Sequence, residues 1–190
     1  MLGKRALPVG RPRAVLRAGL ALVSEDRRRY GLVLHETVGF NFSLSSLRSF
    51  TRLGLINQVR EHVAHERMSK GLALKAPGLG TAVGKLSGGN QQKVVLGKAL
   101  LAEPRVILLD EPTRGIDVGA KVEIYEIINQ LTAEGKAVVL VSSELPELMG
   151  MSDRILMLHQ GRITGEFRRE EATAEKLIGA ALGFGAEMAA

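Results

Sequence analysis

The 190-residue chain has no cysteine and no tryptophan, and its aromatic content is only 4%. Without cysteine, neither a disulfide framework nor a thiolate metal site can be built. Without an aromatic platform, the bases of a nucleic acid would have little to stack on. Long apolar runs are also lacking. Ala18–Val23 and Ala137–Val141 fall far short of the roughly 20 apolar residues that a membrane-spanning helix needs. Lys4 and Arg5 begin like a secretory leader, but Pro8, Gly10 and Arg11 interrupt any apolar core behind them. The expectation is a soluble, cytoplasmic chain. No internal repeat or heptad run appears. A length of 190 residues suffices for one domain with a sizeable core.

The net charge of +6 is unevenly distributed. Eight Lys or Arg precede His35 against only Glu25 and Asp26, and the remaining residues carry eighteen of each sign. A basic arm suggests nucleic acid or an anionic surface. With no aromatics interleaved, a solvated loop is the simpler expectation. His62 and His65 share a helical face, and His65-Glu66 begins a zinc-protease pattern. Ser69 stands where its second histidine belongs and no third ligand follows, so both histidines are expected at a solvated surface.

What the chain does contain is concentrated between Leu86 and Asp117. Leu86-Ser87-Gly88-Gly89-Asn90-Gln91-Gln92-Lys93 leads into an apolar helical pattern that Pro104 ends. At a helix start, free N–H groups and the positive dipole end face an anion, and glycines let the backbone approach it closely. Val106–Leu109 is a buried-strand run ending in Asp110-Glu111, followed by the polar turn Pro112–Asp117. Asp110 is placed to hold Mg²⁺ or its water, and Glu111 to polarise an attacking water.

These residues resemble the nucleotide-binding domain of an ABC transporter. LSGGNQQK is similar to the family signature, VILLDE to its Walker B strand and TRGID to its D-loop. The signature tail and DEPTRGIDVGAK resemble the second ATPase half of bacterial simple-sugar importers of the ribose, xylose, arabinose and galactose type. The resemblance extends from about Arg13 to about Gly183. It implies ATP and Mg²⁺ as cofactors, with Glu111 and Asp110 catalytic and with Asp110 and Glu25 near the metal. Ser87, Gly88, Gly89, Asn90 and Gln91 would serve the ATP of a partner ATPase domain. Glu25 occupies the Q-loop position, Asp117 the D-loop and Ser143 the place of the switch histidine. That serine is shared with the sugar-importer halves and puts catalysis at its own site in doubt. Implied partners are permease subunits, a second ABC ATPase domain and, indirectly, an external sugar-binding protein, with no nucleic acid. The implied location is peripheral, on the cytoplasmic face of the inner membrane.

Elsewhere the pattern predicts an α/β fold with a mostly parallel sheet. Residues 1–12 are expected to be a poorly ordered start, Arg13–Arg17 a helix and Leu20–Val23 a strand. Residues 36–85 form a helical subdomain, with Val38, Phe42, Leu44, Leu47 and Phe50 on one apolar stripe and Val59, Val63 and Met68 on another. From residue 86 to 190 run the signature, the Walker B strand and the end of the core. There Val118–Leu131 turns Val122, Tyr125, Ile128 and Leu131 inward, and Ala137–Val141 is a buried strand. A hairpin turns about His159-Gln160-Gly161, and Thr173 caps a last helix.

No GxxxxGK[ST] phosphate loop occurs in the sequence. Gly80-Thr81-Ala82-Val83-Gly84-Lys85-Leu86 comes nearest, but its glycines are one residue too close and Leu86 replaces the hydroxyl. The chain therefore resembles the last two-thirds of one ABC ATPase domain, P-loop NTPase-like but without its first strands. An unpaired sheet edge, an exposed apolar face and marginal stability or association are expected. The function implied is energy coupling for a sugar importer through ATP hydrolysis at composite sites, the chain alone being inactive. The alternatives are a non-catalytic ABC remnant and part of a nucleoside importer.

Overall fold

A computed structural model describes residues 6–8 and 10–184; half of the low-pattern start, residues 1–5 and 9, lies outside them. The backbone divides into two compact units, one ending at Val141 and one beginning at Ser142.

In the first unit, Pro12 opens α1 (Pro12–Arg17), where its missing N–H costs nothing. Gly19, at φ +93°, turns the chain into β1 (Leu20–Val23). A π-helical turn, Arg27–Gly31, is capped by Asp26, whose carboxylate accepts the N–H groups of Arg28 and Arg29. Then follow α2 (Val38–Ser43), a 3₁₀ turn (Leu47–Phe50), the two-residue strands β2 (Thr51–Arg52) and β3 (Leu55–Ile56), and α3 (Gln58–Gly71). Next are α4 (Gly88–Leu100), β4 (Val106–Asp110), α5 (Val118–Ala133) and β5 (Ala137–Val141). The three longer strands form a parallel sheet in the order β1-β4-β5.

The register separates the two faces of that sheet. Ala21, Val23, Ile107 and Leu109 are buried. The opposite face holds Leu22, Leu108 and Val139 side by side, and Asp110 beside Val141. Leu22 is 61% exposed and Val139 49%, so the expected open apolar face is present. The expectation that Ala137–Val141 is buried is corrected. β5 pairs only with β4 among the described residues, and its alternate side chains point to the open face.

Helix α4 packs on β1, α2 and α5, and Val94, Val95, Leu96 and Ala99 fill the space between. On α5 the buried residues are Ile124, Ile127, Ile128 and Leu131, while Val122 is exposed, a rotation from the predicted stripe. In the helical subdomain Val38, Phe42 and Phe50 are buried as predicted, but Leu44, Leu47, Val59 and Val63 are exposed. The single helical pattern of residues 36–71 is interrupted by the β2–β3 hairpin, which turns at Leu53-Gly54.

His65 corrects a second expectation: it is buried, at 5% exposure, between the rings of Phe42 and Phe50. The Ser43 hydroxyl donates to Glu61, so its oxygen accepts the Nε2–H of His65 at 2.9 Å. That exchange ties α2 to α3 and assigns the neutral tautomer from the hydrogen-bond network. Burial holds the imidazole below its usual range; Glu61 partly offsets this and His62 adds to it.

In the second unit, α6 (Leu145–Met151) precedes the antiparallel pair β6 (Arg154–His159) and β7 (Arg162–Arg168). The hairpin turns about His159-Gln160-Gly161 as expected, with Gln160 and Gly161 at positive φ. Thr173 caps α7 (Ala174–Ala181), and Ile155, Met157, Leu177 and Ala180 form this unit's core.

Two outcomes follow for stability. A Cβ on Gly97 would stand 2.4 Å from the Phe42 ring and 3.0 Å from Leu72. Gly97→Ala is expected to lose about 1–2 kcal/mol in a urea titration. Overpacking of about 1–3 kcal/mol outweighs the helix-propensity gain of at most about 1. For His65 the folded pKa lies below the ordinary value of 6.5, so the unfolded chain takes up the proton first. Stability is complete above pH 6.5 and declines as the pH falls towards the folded value. Urea midpoints from pH 7.5 downward should therefore drop, and His65→Gln should flatten that slope.

Candidate functional site

The site candidates gather where β1 and β4 end. Parallel pairing of Val23 with Leu109 sends the loops carrying Glu25 and Glu111 out of neighbouring strands on the same side. The carboxyl ends of parallel strands are where open α/β sheets bind ligands. Asp110 is the last residue of β4 and half-buried. Glu111 has φ +47°, a conformation uncommon outside glycine, and donates its N–H to the Val141 carbonyl at 2.9 Å. Its own carbonyl accepts the Arg114 N–H at 3.1 Å, which closes the turn.

Asp117 caps α5, accepting the Ala120 N–H at 2.9 Å. This cap also locates the signature, because Ala120 lies directly against α4. A Cβ on Gly89 would come 2.5 Å from the Ala120 Cβ. At Gly88 it would meet an Arg27 guanidinium nitrogen at 2.9 Å and the Gly115 carbonyl at 3.2 Å. Both glycines are thus required by the chain's own packing, a reason that sequence reasoning alone did not supply. Ser87 caps α4, and its hydroxyl accepts the Asn90 side-chain amide at 2.9 Å. The Gly88 and Gly89 N–H groups belong to the first turn, where no intrahelical acceptor exists.

Beyond Gly89 the signature tail turns inward. Asn90 accepts the Lys75 N–H at 2.9 Å. Gln91 is buried and spends its amide on the carbonyls of Val83 and Leu86. Lys93, only 1% exposed, donates to the Ala73 carbonyl and pairs with Glu123, both at 2.8 Å. Lys75 holds the other oxygen of Glu123 at 2.8 Å. Hydrogen bonds from Lys75 and then Lys93 bring the Glu123 carboxyl down to about 2.

Nothing in the local pattern signals the contacts made by Arg27 and Arg114. Arg27 donates to the carbonyls of Arg114 at 2.9 Å and Gly115 at 3.2 Å, while the Arg114 side chain pairs with Glu25. Burial, then Arg28, lowers the Arg27 pKa, and Asp26 opposes them. These contacts clasp the loop after β1 to the turn after β4, with Gly88 directly alongside. In the sequence Arg27 is one of three consecutive arginines, and nothing there separates it from its neighbours. Ser143 follows β5 in the second unit. Among the described residues, no group of three or more His, Cys, Asp or Glu could hold a metal ion. No described helix is long and apolar enough to cross a membrane.

The sequence profile of ABC transporters matches residues 11–114. The xylose import ATP-binding protein XylG of Geobacillus kaustophilus is 53% identical over 94% of this chain, which spans 36% of that protein. The ribose import ATP-binding protein RbsA 2 of Streptomyces coelicolor is 53% identical over 89% of this chain and 33% of its own length. The chain thus spans about a third of the length of these named relatives. A dimeric bacterial ABC transporter cassette superposes with a TM-score of 0.68 at 26% identity, over 83% of this chain and 66% of that one. A cassette in its ADP conformation gives 0.71 at 22% identity, over 90% and 71%, a likeness of fold alone. With its signature helix braced against its own Walker B turn and with these matches, the chain belongs to the ABC transporter family.

Proposed function

We propose that this chain is part of the energy-coupling ATPase of a sugar importer, working through composite sites shared with a second ATPase domain. What carries this is the 53% identity to a xylose import ATP-binding protein across 94% of the chain. The local chemistry supports it. The Ser87 hydroxyl and the first-turn N–H groups of Gly88 and Gly89 suit the phosphate of a nucleotide held by the partner domain. Asn90 and Gln91 act one step back, by fixing the start of α4. Asp110 suits Mg²⁺ as one carboxylate ligand, since this ion commonly takes only one or two and fills its sphere with phosphate oxygens and water. Bound there, Mg²⁺ would neutralise charge on the transferring phosphoryl group. Glu111 is the general base and Asp117 fixes the D-loop. Glu25, at the Q-loop position, reports on the site through Arg114 and joins Asp110 beside the metal. Ser143 replaces the switch histidine and makes this chain's own site the slower of two. Permease subunits are the membrane partner, met by the helical subdomain on the cytoplasmic face, and an external sugar-binding protein delivers the sugar to them. Sugar rather than nucleoside is the cargo class that the relatives' names favour.

The 190-residue chain, with no phosphate-loop lysine in its sequence, is expected neither to bind Mg-ATP tightly nor to hydrolyse it. Titration calorimetry and phosphate release check this; micromolar binding with turnover lost in Glu111→Gln would refute it.

In a full-length ATPase carrying this sequence, Ser87→Asp separates charge from packing. Aspartate caps a helix as well as serine does, so α4 should stay within about 0.5 kcal/mol of its stability. The added carboxylate repels an incoming phosphate, and sugar uptake into membrane vesicles should fall at least about tenfold. Glu111→Gln is expected to cost less uptake. Gly89→Asp should abolish uptake too, but its side chain would also strike Ala120. Normal uptake by Ser87→Asp would remove the composite-site assignment.

A further inference from the structure

The β2–β3 hairpin carries side chains that its own folding does not require. Leu53, at φ +52°, and Gly54, at φ +82°, form the two-residue turn between Arg52 and Leu55. Both φ values are positive, the pattern of a type I′ turn, which prefers asparagine or aspartate at its first central position. Leucine there gains no local hydrogen bond and is 95% exposed. Leu55 is 77% exposed, and Ile56 and Val59 continue the apolar surface. Leucine in a left-handed turn, packed on nothing, is costly twice over.

The base of this tip is firmly held. Phe50 is buried edge-on against His65, Asn57 donates its N–H to the Phe50 carbonyl at 2.8 Å, and the Thr51 hydroxyl bonds to the Leu47 carbonyl at 2.8 Å. The charges nearest the tip in sequence are basic, with Glu36 and Glu61 the first acids on either side and Glu61 engaged by Ser43. Residues 37–60 contain Arg48, Arg52 and Arg60 and no Asp or Glu. The three arginines are exposed and make no ion pair among the described residues. An apolar point with a basic collar matches the interface of a bilayer, where leucines enter the acyl boundary and arginines stay with anionic headgroups. Leu53 and Leu55, with Ile56 and Val59 beside them, make a small patch against the about 1,200 Å² or more that a stable protein interface buries.

We propose that the Leu53–Leu55 tip inserts into an anionic membrane surface, with Arg48, Arg52 and Arg60 on the headgroups. The contact is independent of nucleotide and of any protein partner, so its test does not depend on the ATPase assignment. Flotation of the chain should be measured with vesicles of phosphatidylcholine alone and of phosphatidylcholine with phosphatidylglycerol, at low and high salt. Binding is expected only to the anionic vesicles, and should weaken with salt. Leu53→Asn suits the turn better than leucine, so it keeps the fold while weakening binding by about tenfold, the loss of one buried leucine. Arg52→Gln should weaken binding by about fivefold at low salt and less at high salt. Leu22→Ser with Val139→Ser, on the open sheet face, should leave binding unchanged. No flotation with anionic vesicles would overturn the assignment. So would binding that Leu53→Asn leaves intact, or that the sheet-face variant abolishes.

Discussion

Helix α4 lies closer to its neighbours than side chains normally permit, and the rest of the first unit is arranged around that proximity. At one end Gly89 admits Ala120, and near the other Gly97 admits Phe42. A glycine inside a helix costs roughly 0.5–1 kcal/mol relative to alanine. Here the cost is offset by two close approaches that join α4 to α5 and to α2. Through Ala120 the position of the signature is slaved to the Asp117 cap, and through that cap to the turn after β4. The start of α4 and the carboxylates at the end of β4 are therefore set by a single chain of contacts.

The charged groups beneath the signature continue the same logic. Lys93 is buried, which is tolerable only because the Ala73 carbonyl and the Glu123 carboxylate receive its protons. Lys75 shares that carboxylate and passes its N–H to Asn90, which in turn donates to Ser87. A tail that reads as ligand chemistry is thus internal bracing. It holds the cap residue still and leaves the Gly88 and Gly89 N–H groups without an intrahelical acceptor.

How much of this the sequence disclosed depends on the range of the interaction. The strands at Leu20, Val106 and Ala137 were legible as short apolar runs between breakers, and so was the hairpin about Gln160-Gly161. The motifs were legible because their spacing is local. The β2–β3 hairpin was not, since two-residue strands have no period and Leu53 is a poor turn residue. The rotation of α5 was ambiguous, because apolar residues occur at 122, 124, 125, 127, 128 and 131. The packing of α5 on β5 and on α4, with Ala120 against Gly89, chooses among them. His65 looked like a surface residue until Ser43, 22 residues earlier in sequence, supplied its partner. The clasp from Arg27 to the Arg114 and Gly115 carbonyls spans 87 and 88 residues and involves backbone acceptors, which carry no sequence signature.

Glu111 is held in a left-handed backbone that suits glycine or asparagine better than glutamate. Such a conformation costs about 1 kcal/mol or more for an ordinary side chain. On backbone grounds alone, glycine or asparagine would be the better residue at position 111. Relaxing the backbone and keeping the glutamate are therefore exclusive choices at this one position.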